Sequence, residues 1–287
     1  MRQEIIDLYD EYTHAPLDRR TFLRRLATLA GGTAAAYALL PVLENNYAQA
    51  AIVAPDDERI AALRVYYPGS GGSLKGYLAR PKEMTGRLPA VLVIHENRGL
   101  NPHIMDVTRR FALAGFLALA PDLLTPAGGT PANEDQAREM IGKLDDVGVL
   151  ADLKASHAWL KGRGDSNGRV GAVGFCWGGG MTNRLATLAD DLAAAVVYYG
   201  AVPNAGTVQL IQAPLLLHYA GLDQRINAGI DGYEKALQGA GKRYTKYVYA
   251  GANHAFNNDT NSARYDAGAA GLAWDRTLRF LDEQLRA

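Results

Sequence analysis

Residues 170–180 have the sequence VGAVGFCWGGG, which predicts a strand that turns sharply into a helix. It begins as a short apolar run typical of a buried strand and continues into the pattern G-x-C-x-G, formed by Gly174, Cys176 and Gly178. The pattern has the form of a nucleophile elbow, a sharp strand-to-helix turn that exposes a reactive side chain, with cysteine in place of serine. Side chains at the two glycines would collide with neighbouring backbone. The dipole of the following helix favours the thiolate of Cys176, and the alternative is a buried structural cysteine beside a glycine-rich turn.

The rest of the chain alternates short apolar runs with amphipathic stretches. Strands are predicted at residues 64–67, 74–80, 90–94, 116–120, 170–173, 195–199, 214–219 and 244–249, and helices near 103–114, 134–162, 178–190, 228–239 and 263–285. A glycine-rich turn joins the first two strands, which should form a hairpin. The alternation predicts an α/β fold with a mostly parallel central sheet and helices on both faces. In such folds, functional side chains gather at the carboxyl ends of the strands.

Composition limits the classes of function open to the chain. Its 287 residues include 30 basic and 30 acidic side chains, so no net charge favours binding to nucleic acid. A single cysteine excludes an intrachain disulfide and cysteine-rich zinc or iron–sulfur sites. We therefore expect one globular domain over residues 51–287, with no nucleic-acid partner, preceded by a distinct segment over residues 1–50.

The first fifty residues have the features of a twin-arginine export signal. An arginine pair at 24–25 precedes an uncharged run over 26–43, and residues 48–50 supply a small-x-small cleavage pattern. These features predict export to the periplasm through the Tat translocon. The alternative is a retained helical extension on a cytoplasmic protein, in which Asp18 caps an ordinary helix and apolar residues within 5–9 form a stripe on an earlier one.

Two further residues follow strands in the order that a catalytic triad on such a fold requires, which is nucleophile, carboxylate and then histidine. Asp223 lies after the predicted strand 214–219, and His254 lies after the strand 244–249. His254 can accept the thiol proton of Cys176 and later deliver it to a leaving group, while Asp223 fixes the tautomer of the imidazole. Each residue alone is more often an ordinary loop residue, but their order after successive strands favours a triad.

The loop after the strand 90–94 carries two more candidates. Its position predicts that the backbone amide of Asn97 joins that of Trp177, the residue after the nucleophile, in an oxyanion hole. The carboxylate of Glu96 would lie close to Cys176, where it could take the thiol proton or hold the resting site neutral. The alternative for Glu96 is an ion pair with Arg98 at the surface.

Together these residues resemble the dienelactone hydrolase family of the α/β-hydrolase superfamily. The likeness spans about residues 63–285, and its most specific pieces are the elbow, the Glu96 loop, residues 120–123, 197–200 and 251–256, and a closing pattern over 265–277. The resemblance implies the α/β-hydrolase fold and a triad of Cys176, Asp223 and His254. It also implies that Glu96 helps to generate the thiolate and that Tyr198 lines the site.

The resemblance also points to residues that bind substrate. Chlorocatechol-pathway members of the family bind the substrate carboxylate with arginines, and Asn258 stands at one of those positions here. An asparagine amide donates hydrogen bonds but cannot form the bidentate charged pair that arginine offers. Arg138 matches the other arginine only across a gap. Asn258 and Arg138 are the candidate substrate-binding residues, for a substrate other than dienelactone itself.

We therefore expect a cysteine-dependent hydrolase of small carboxylic esters or lactones that forms a covalent acyl-enzyme and needs no metal or organic cofactor. Two alternatives stay open. A cysteine amidase related to the glutamine amidotransferases would carry its acid and histidine close together, whereas a predicted helix and strand separate Asp223 from His254. A non-catalytic envelope protein would keep the fold and use its N-terminal helices or surface for association.

Overall fold

The structure is a computed structural model that describes residues 1–47 and 51–286. The cleavage pattern expected at residues 48–50 lies outside the described residues. The strands are β1 (Ile60–Pro68), β2 (Ser73–Pro81), β3 (Leu88–Ile94), β4 (Leu117–Pro121), β5 (Ser166–Phe175), β6 (Ala194–Tyr198), β7 (Leu215–Ala220) and β8 (Tyr244–Tyr249). The helices are α1 (Gln3–His14), α2 (Arg19–Ala30), α3 (Thr33–Leu43), α4 (Pro102–Leu113), α5 (Glu134–Ile141), α6 (Asp146–Lys161), α7 (Trp177–Ala186), α8 (Gln224–Asn227), α9 (Ile230–Gly239) and α10 (Ala267–Leu285).

The eight strands form one sheet in the order β1-β2-β4-β3-β5-β6-β7-β8. β1 and β2 are the antiparallel hairpin expected from the glycine-rich turn, and β2 also runs antiparallel to β4. The remaining neighbours, from β4 through β8, are parallel. The prediction of a mostly parallel α/β sheet is confirmed, and the carboxyl ends of β3, β5, β7 and β8 meet at one edge.

Helices cover both faces of the sheet because the central strands are apolar on both sides. In β3, Leu92 faces a cluster that includes Leu153 of α6 and Leu237 of α9. Its neighbour Val91 faces the opposite cluster, with Phe111 of α4. This alternation follows from the two-residue period of a strand. The result is a rigid platform for the loops that follow each strand.

The first 47 residues, which we call the N-terminal cap, form helices α1 to α3 around their own apolar cluster. This cluster contains Ile5, Leu8, Tyr9, Tyr12, Phe22, Leu26, Ala36, Leu40 and Leu43. Asp18 caps α2 by accepting a hydrogen bond from the backbone N–H of Thr21 at 2.9 Å, as the helical alternative expected. No single helix among the described residues is long and apolar enough to cross a membrane. The pair α2 and α3 passes that test together, with a bend of 109° between its members.

Candidate active site

The elbow predicted from residues 170–180 joins β5 to α7, and Cys176 is its apex. Cys176 has φ 56° and ψ −117°, a conformation that side-chain-bearing residues rarely adopt. A Cβ at Gly174 would lie 2.1 Å from the carbonyl oxygen of Gly178. A Cβ at Gly178 would lie 2.4 Å from the carbonyl oxygens of Ile94 and His95. Gly174 is therefore required for the close contact between the end of β5 and α7, and Gly178 for the contact between the turn and the end of β3.

Asp223 and His254 form a buried pair beside the elbow. Asp223 follows β7 and caps the short helix α8, where its Oδ1 accepts a hydrogen bond from the N–H of Ile226 at 3.1 Å. Its Oδ2 lies 2.5 Å from Nδ1 of His254, which follows β8. A ring nitrogen of His254 lies within 4.8 Å of Sγ of Cys176, and its Nε2 has no hydrogen-bond partner among the described residues. The structure thus brings together the three residues expected to form the triad.

The charges around Cys176 favour its thiolate. Burial raises the pKa of the thiol, but the positive imidazoles of His14 and His254 outweigh burial and lower this pKa to about 5. Burial lowers the pKa of His254, but the negative charges of Cys176, Asp10 and Asp223 raise it to about 10. The sulfur and the imidazole are therefore a thiolate–imidazolium pair at neutral pH.

Glu96 is buried at the site and is not an exposed partner of Arg98. Its Oε2 accepts a hydrogen bond of 2.7 Å from Nδ2 of Asn258, and it lines a small cavity together with Cys176 and His254. Arg98 instead pairs with Glu134, with 3.7 Å between Nε and Oε2. The surface ion pair considered for Glu96 is therefore wrong.

A pocket of about 900 Å³ opens beside the sulfur. Cys176, His254, Trp177 and Asn97 all line it. Trp177 is the first residue of α7, so its N–H has no acceptor within the helix and can point at a ligand. The side-chain amide of Asn97 donates to the backbone oxygen of Thr13 at 2.8 Å, which ties its loop to the N-terminal cap. The two residues expected in the oxyanion hole thus border the same space as the sulfur.

The tyrosine at the pocket is Tyr199, and the expectation for Tyr198 needs correction. Tyr198 is the last residue of β6, and its hydroxyl shares a hydrogen bond of 2.7 Å with Oγ1 of Thr277 inside the core. Tyr199, one residue on, has φ 38° and lines the pocket, with its ring centroid 5.0 Å from that of His254. β6 ends between the two residues. The side chain of Tyr198 therefore lies in the core, whereas that of Tyr199, one position later, lines the pocket.

The two expected substrate-binding residues have different surroundings. Asn258 is buried, donates to Glu96 and accepts from the backbone N–H of Thr260 at 3.1 Å, so its amide holds the Glu96 loop and is not free for substrate. That expectation is corrected. Arg138 does line the pocket, where its guanidinium lies 4.2 Å from the ring centroid of Tyr12 and also donates to the backbone oxygen of Tyr12.

Sequence reasoning missed two residues of the N-terminal cap. His14, at the end of α1, has Nε2 3.1 Å from Sγ of Cys176, and its Nδ1 lies 3.1 Å from Oδ1 of Asp10. The spacing of four residues places both on one face of α1, but no pattern in the chain connects residue 14 to residue 176. His14, Cys176 and His254 each offer a potential metal-binding atom within 4.8 Å of the others. The contact of 3.1 Å between His14 and the sulfur holds two of these atoms together without an ion, and the expectation of no metal stays a prediction.

Comparison with known proteins places this chain in a family. Residues 74–285 match the model of the dienelactone hydrolase family. The chain belongs to that family. Residues 1–32 of this dienelactone hydrolase family member match a second family model, described as YqhI-like. The protein named "Putative carboxymethylenebutenolidase" of Escherichia coli O157:H7 is 34% identical over 246 residues, which cover 81% of this chain and 90% of that protein.

Solved structures confirm the α/β-hydrolase fold of this family member. The crystal structure titled "Putative Dienelactone Hydrolase" from Klebsiella pneumoniae has a TM-score of 0.72 and 32% sequence identity, and covers 77% of this chain and 98% of that one. A fungal esterase from Rhizomucor miehei has a TM-score of 0.66 and covers 100% of this chain and 98% of that one. At 12% identity the second likeness concerns the fold alone. The resemblance expected from the sequence is confirmed.

Proposed function

We propose that the protein hydrolyses small carboxylic esters or lactones with Cys176 as its nucleophile. Family membership supports the reaction class. The observation that carries the mechanism is the position of Cys176, on a strained elbow beside an imidazole that Asp223 holds at 2.5 Å. This arrangement supplies an activated nucleophile, a proton carrier and a residue that orients the carrier.

The first half of the reaction is acylation. The thiolate of Cys176 attacks the carbonyl carbon, and the carbonyl oxygen gains a negative charge that the N–H groups of Trp177 and Asn97 stabilise. The bond from carbon to the alcohol oxygen then breaks, and that oxygen takes the proton from Nε2 of His254. An ester releases its alcohol at this stage, whereas a lactone keeps its new hydroxyl on the acyl chain.

The second half is deacylation of the thioester. Neutral His254 accepts a proton from water as the water oxygen bonds to the thioester carbon. The bond from carbon to sulfur breaks and restores the thiolate with the imidazolium beside it. Asp223 stays ionised throughout and stabilises the positive ring, because burial raises its pKa but the charge of His254 lowers it overall.

Two further assignments belong to this proposal. The carboxylate of Glu96 lines a small cavity together with Cys176, where it can hold or exchange a proton near the sulfur. Its hydrogen bond from Asn258 supports that position. Arg138 lines the pocket and is the proposed contact for the polar end of the substrate. The contacts of Arg138 with Tyr12 would have to rearrange for that role.

The test is hydrolysis by Cys176→Ala and Cys176→Ser across a panel of esters and lactones. The alanine variant should lose about a thousandfold or more in kcat for every substrate that the wild type cleaves. Intact-mass measurement of quenched wild type should show a covalent acyl adduct. Neither variant can form this thioester, because neither has the sulfur of Cys176. Unchanged hydrolysis by the alanine variant would remove the mechanism and favour a non-catalytic or differently catalysed protein.

The fate of the N-terminal cap is a separate proposal. The twin-arginine pattern supports export through the Tat translocon to the periplasm, and the docked helices support a retained extension on a cytoplasmic protein. The contacts of His14 with the site favour the second of these. Intact-mass measurement of protein recovered from its native compartment distinguishes them, because a start at Ala51 supports export with cleavage and a start at Met1 supports retention.

A further inference from the structure

The end of α1 reaches into the active site. His14 is the last residue of that helix, and its Nε2 is 3.1 Å from Sγ of Cys176. The ring meets His254 edge-on, with centroids 4.6 Å apart and an angle of 77° between planes. The sulfur therefore has an imidazole on two sides, one from the hydrolase domain and one from the N-terminal cap.

His14, like the histidine of the expected triad, has an aspartate carboxylate beside its Nδ1. Its Nδ1 lies 3.1 Å from a carboxylate oxygen of Asp10 and 2.9 Å from the backbone oxygen of the same residue. The backbone oxygen of Asp10 is the acceptor for a proton on Nδ1, and the hydroxyl of Thr13 lies 3.0 Å from the same atom. These contacts leave Nε2 directed at the sulfur. Asp10 thus places a carboxylate beside Nδ1 of His14, as Asp223 does beside Nδ1 of His254, although only the second pair has hydrogen-bond geometry.

Several contacts around the pocket hold this helix in place. The hydroxyl of Tyr12 donates to Asp135 at 2.7 Å, and Asn97 donates to the backbone of Thr13 at 2.8 Å. Gln3 donates to the side chain of Asn253 at 2.6 Å, directly before His254. These contacts come from helix α5 and from two separate loops of the hydrolase domain. The position of His14 is therefore built by the contact between the cap and the domain and not by α1 alone.

We propose that His14 is a second catalytic imidazole, which donates a hydrogen bond from Nε2 to the Cys176 thiolate and makes the N-terminal cap part of the catalytic unit. His254 performs the proton transfers, and His14 keeps its proton and stabilises the negative sulfur. This inference rests on the proposed function, because it assigns a role at the same nucleophile. It requires that residues 1–47 remain attached to the working enzyme.

The charges facing His14 agree with a positive ring. Burial lowers its pKa, but the thiolate raises it overall, with a further contribution from the bond to Asp10. On the other elements, Asp223, Glu96 and His254 face the site from three loops. Arg225 and Arg264 approach Asp10 at 3.5 and 3.8 Å and share its negative charge. The cluster therefore contains both positive and negative groups, and the negative groups offset the charge of a second imidazolium.

The experiment measures the rate of Cys176 alkylation by iodoacetamide against pH, with the full chain and no substrate. In wild type the rate should reach half of its maximum near pH 5, which is the pKa of the thiol. His14→Ala should move this midpoint upward by about one to two pH units, since a hydrogen bond to a charged group is worth about that much. The midpoint separates a change in pKa from a change in access, because better access raises the rate at all pH values.

Three further variants make the result specific. Asp10→Asn should raise the midpoint by less than His14→Ala, because the ring remains but its anchor is neutral. His14→Gln should raise the midpoint by less than His14→Ala, because its amide N–H can still donate a hydrogen bond to the sulfur. This variant also tests the role of His14 if the alanine variant does not fold. Arg25→Gln is the control within the cap, since Arg25 pairs at 2.6 Å with Glu11 on the outer surface and does not touch the site.

The outcomes separate this inference from the proposed function. A midpoint that is the same in wild type, His14→Ala and His14→Gln would overturn the role of His14 and leave the Cys176 mechanism intact. A wild-type midpoint near 9, the ordinary value for a thiol, would overturn the stabilised thiolate itself. Full hydrolysis by Cys176→Ala would overturn the proposed function while the alkylation data still report on His14.

Discussion

The Nδ2 atom of Asn258 donates a hydrogen bond of 2.7 Å to Oε2 of Glu96, and Oε1 of Glu96 has no hydrogen-bond partner among the described residues. The carboxylate is buried, so the hydrogen bond from Asn258 is the main interaction that compensates for its lost contact with water. An unpaired buried acceptor costs more free energy than the hydrogen bond itself contributes. The asparagine therefore holds the Glu96 loop beside the nucleophile.

Asn258→Leu should lower the free energy of unfolding by about 1–3 kcal/mol, because it leaves the Glu96 carboxylate without its donor. Chemical denaturation measures the loss, and a double-mutant cycle with Glu96→Gln isolates the pair. The cost of the leucine should be smaller in the glutamine background, where no charge is buried. Equal costs in the two backgrounds would show that the contact is not coupled.

The activity should depend on pH as a bell-shaped curve. Thiolate forms as pH rises through about 5, and the imidazolium that protonates the leaving group is lost as pH rises through about 10. The value of kcat/KM should therefore rise through the lower pH and fall through the upper one. Each limb belongs to the coupled pair and not to one residue. A rising limb near 9, measured with a substrate stable over this range, contradicts the stabilised thiolate.

Much of this arrangement is predictable from the sequence because it is local. The elbow needs glycines at fixed spacing from Cys176, and the acid and base follow strands whose apolar runs are easily recognised. The sheet then gathers the strand ends by a topology common to α/β folds. The pattern of residues 170–180 and the order of Asp223 and His254 are therefore sufficient to predict that these three residues lie together.

The remaining features depend on contacts between segments that are far apart in the chain, or on which of two adjacent residues points into the pocket. His14 meets Cys176 across 162 residues, and its location follows from how the cap packs on helix α5 and two loops. Tyr198 and Tyr199 differ by one residue, and only the backbone turn at φ 38° decides which ring reaches the pocket. The family pattern predicts that Asn258 binds substrate, but its side-chain amide is hydrogen-bonded to Glu96. Such choices depend on tertiary packing and not on residue type.

Asp223→Asn should reduce kcat by about 10²–10⁴, because the amide no longer orients and stabilises the imidazolium of His254. It should also move the falling limb of the pH profile downward, since one of the negative charges that raises the pKa of His254 is gone. Asp191→Asn is the matched control, as it removes a carboxylate 3.8 Å from His157, outside the site. A falling limb at the same pH in wild type and Asp223→Asn would argue against the pair.

Gly178→Ala should prevent formation of the elbow. The added Cβ would lie 2.4 Å from two backbone carbonyl oxygens of the β3 end, at Ile94 and His95, and backbone cannot move aside as a flexible side chain can. We expect a loss of about 3 kcal/mol or more in unfolding free energy, or failure to fold.

Gly180→Ala lies one half-turn further along the same helix and is the matched control. Its Cβ would meet no described atom closer than 3.5 Å, and alanine favours a helix over glycine by up to about 1 kcal/mol. Its stability should therefore equal or exceed that of the wild type. Thermal unfolding and the yield of soluble protein compare the two variants directly. If Gly178→Ala unfolds at the same temperature as Gly180→Ala, the turn has more freedom than its close contacts indicate, and the strained elbow ceases to explain why glycine stands on both sides of Cys176.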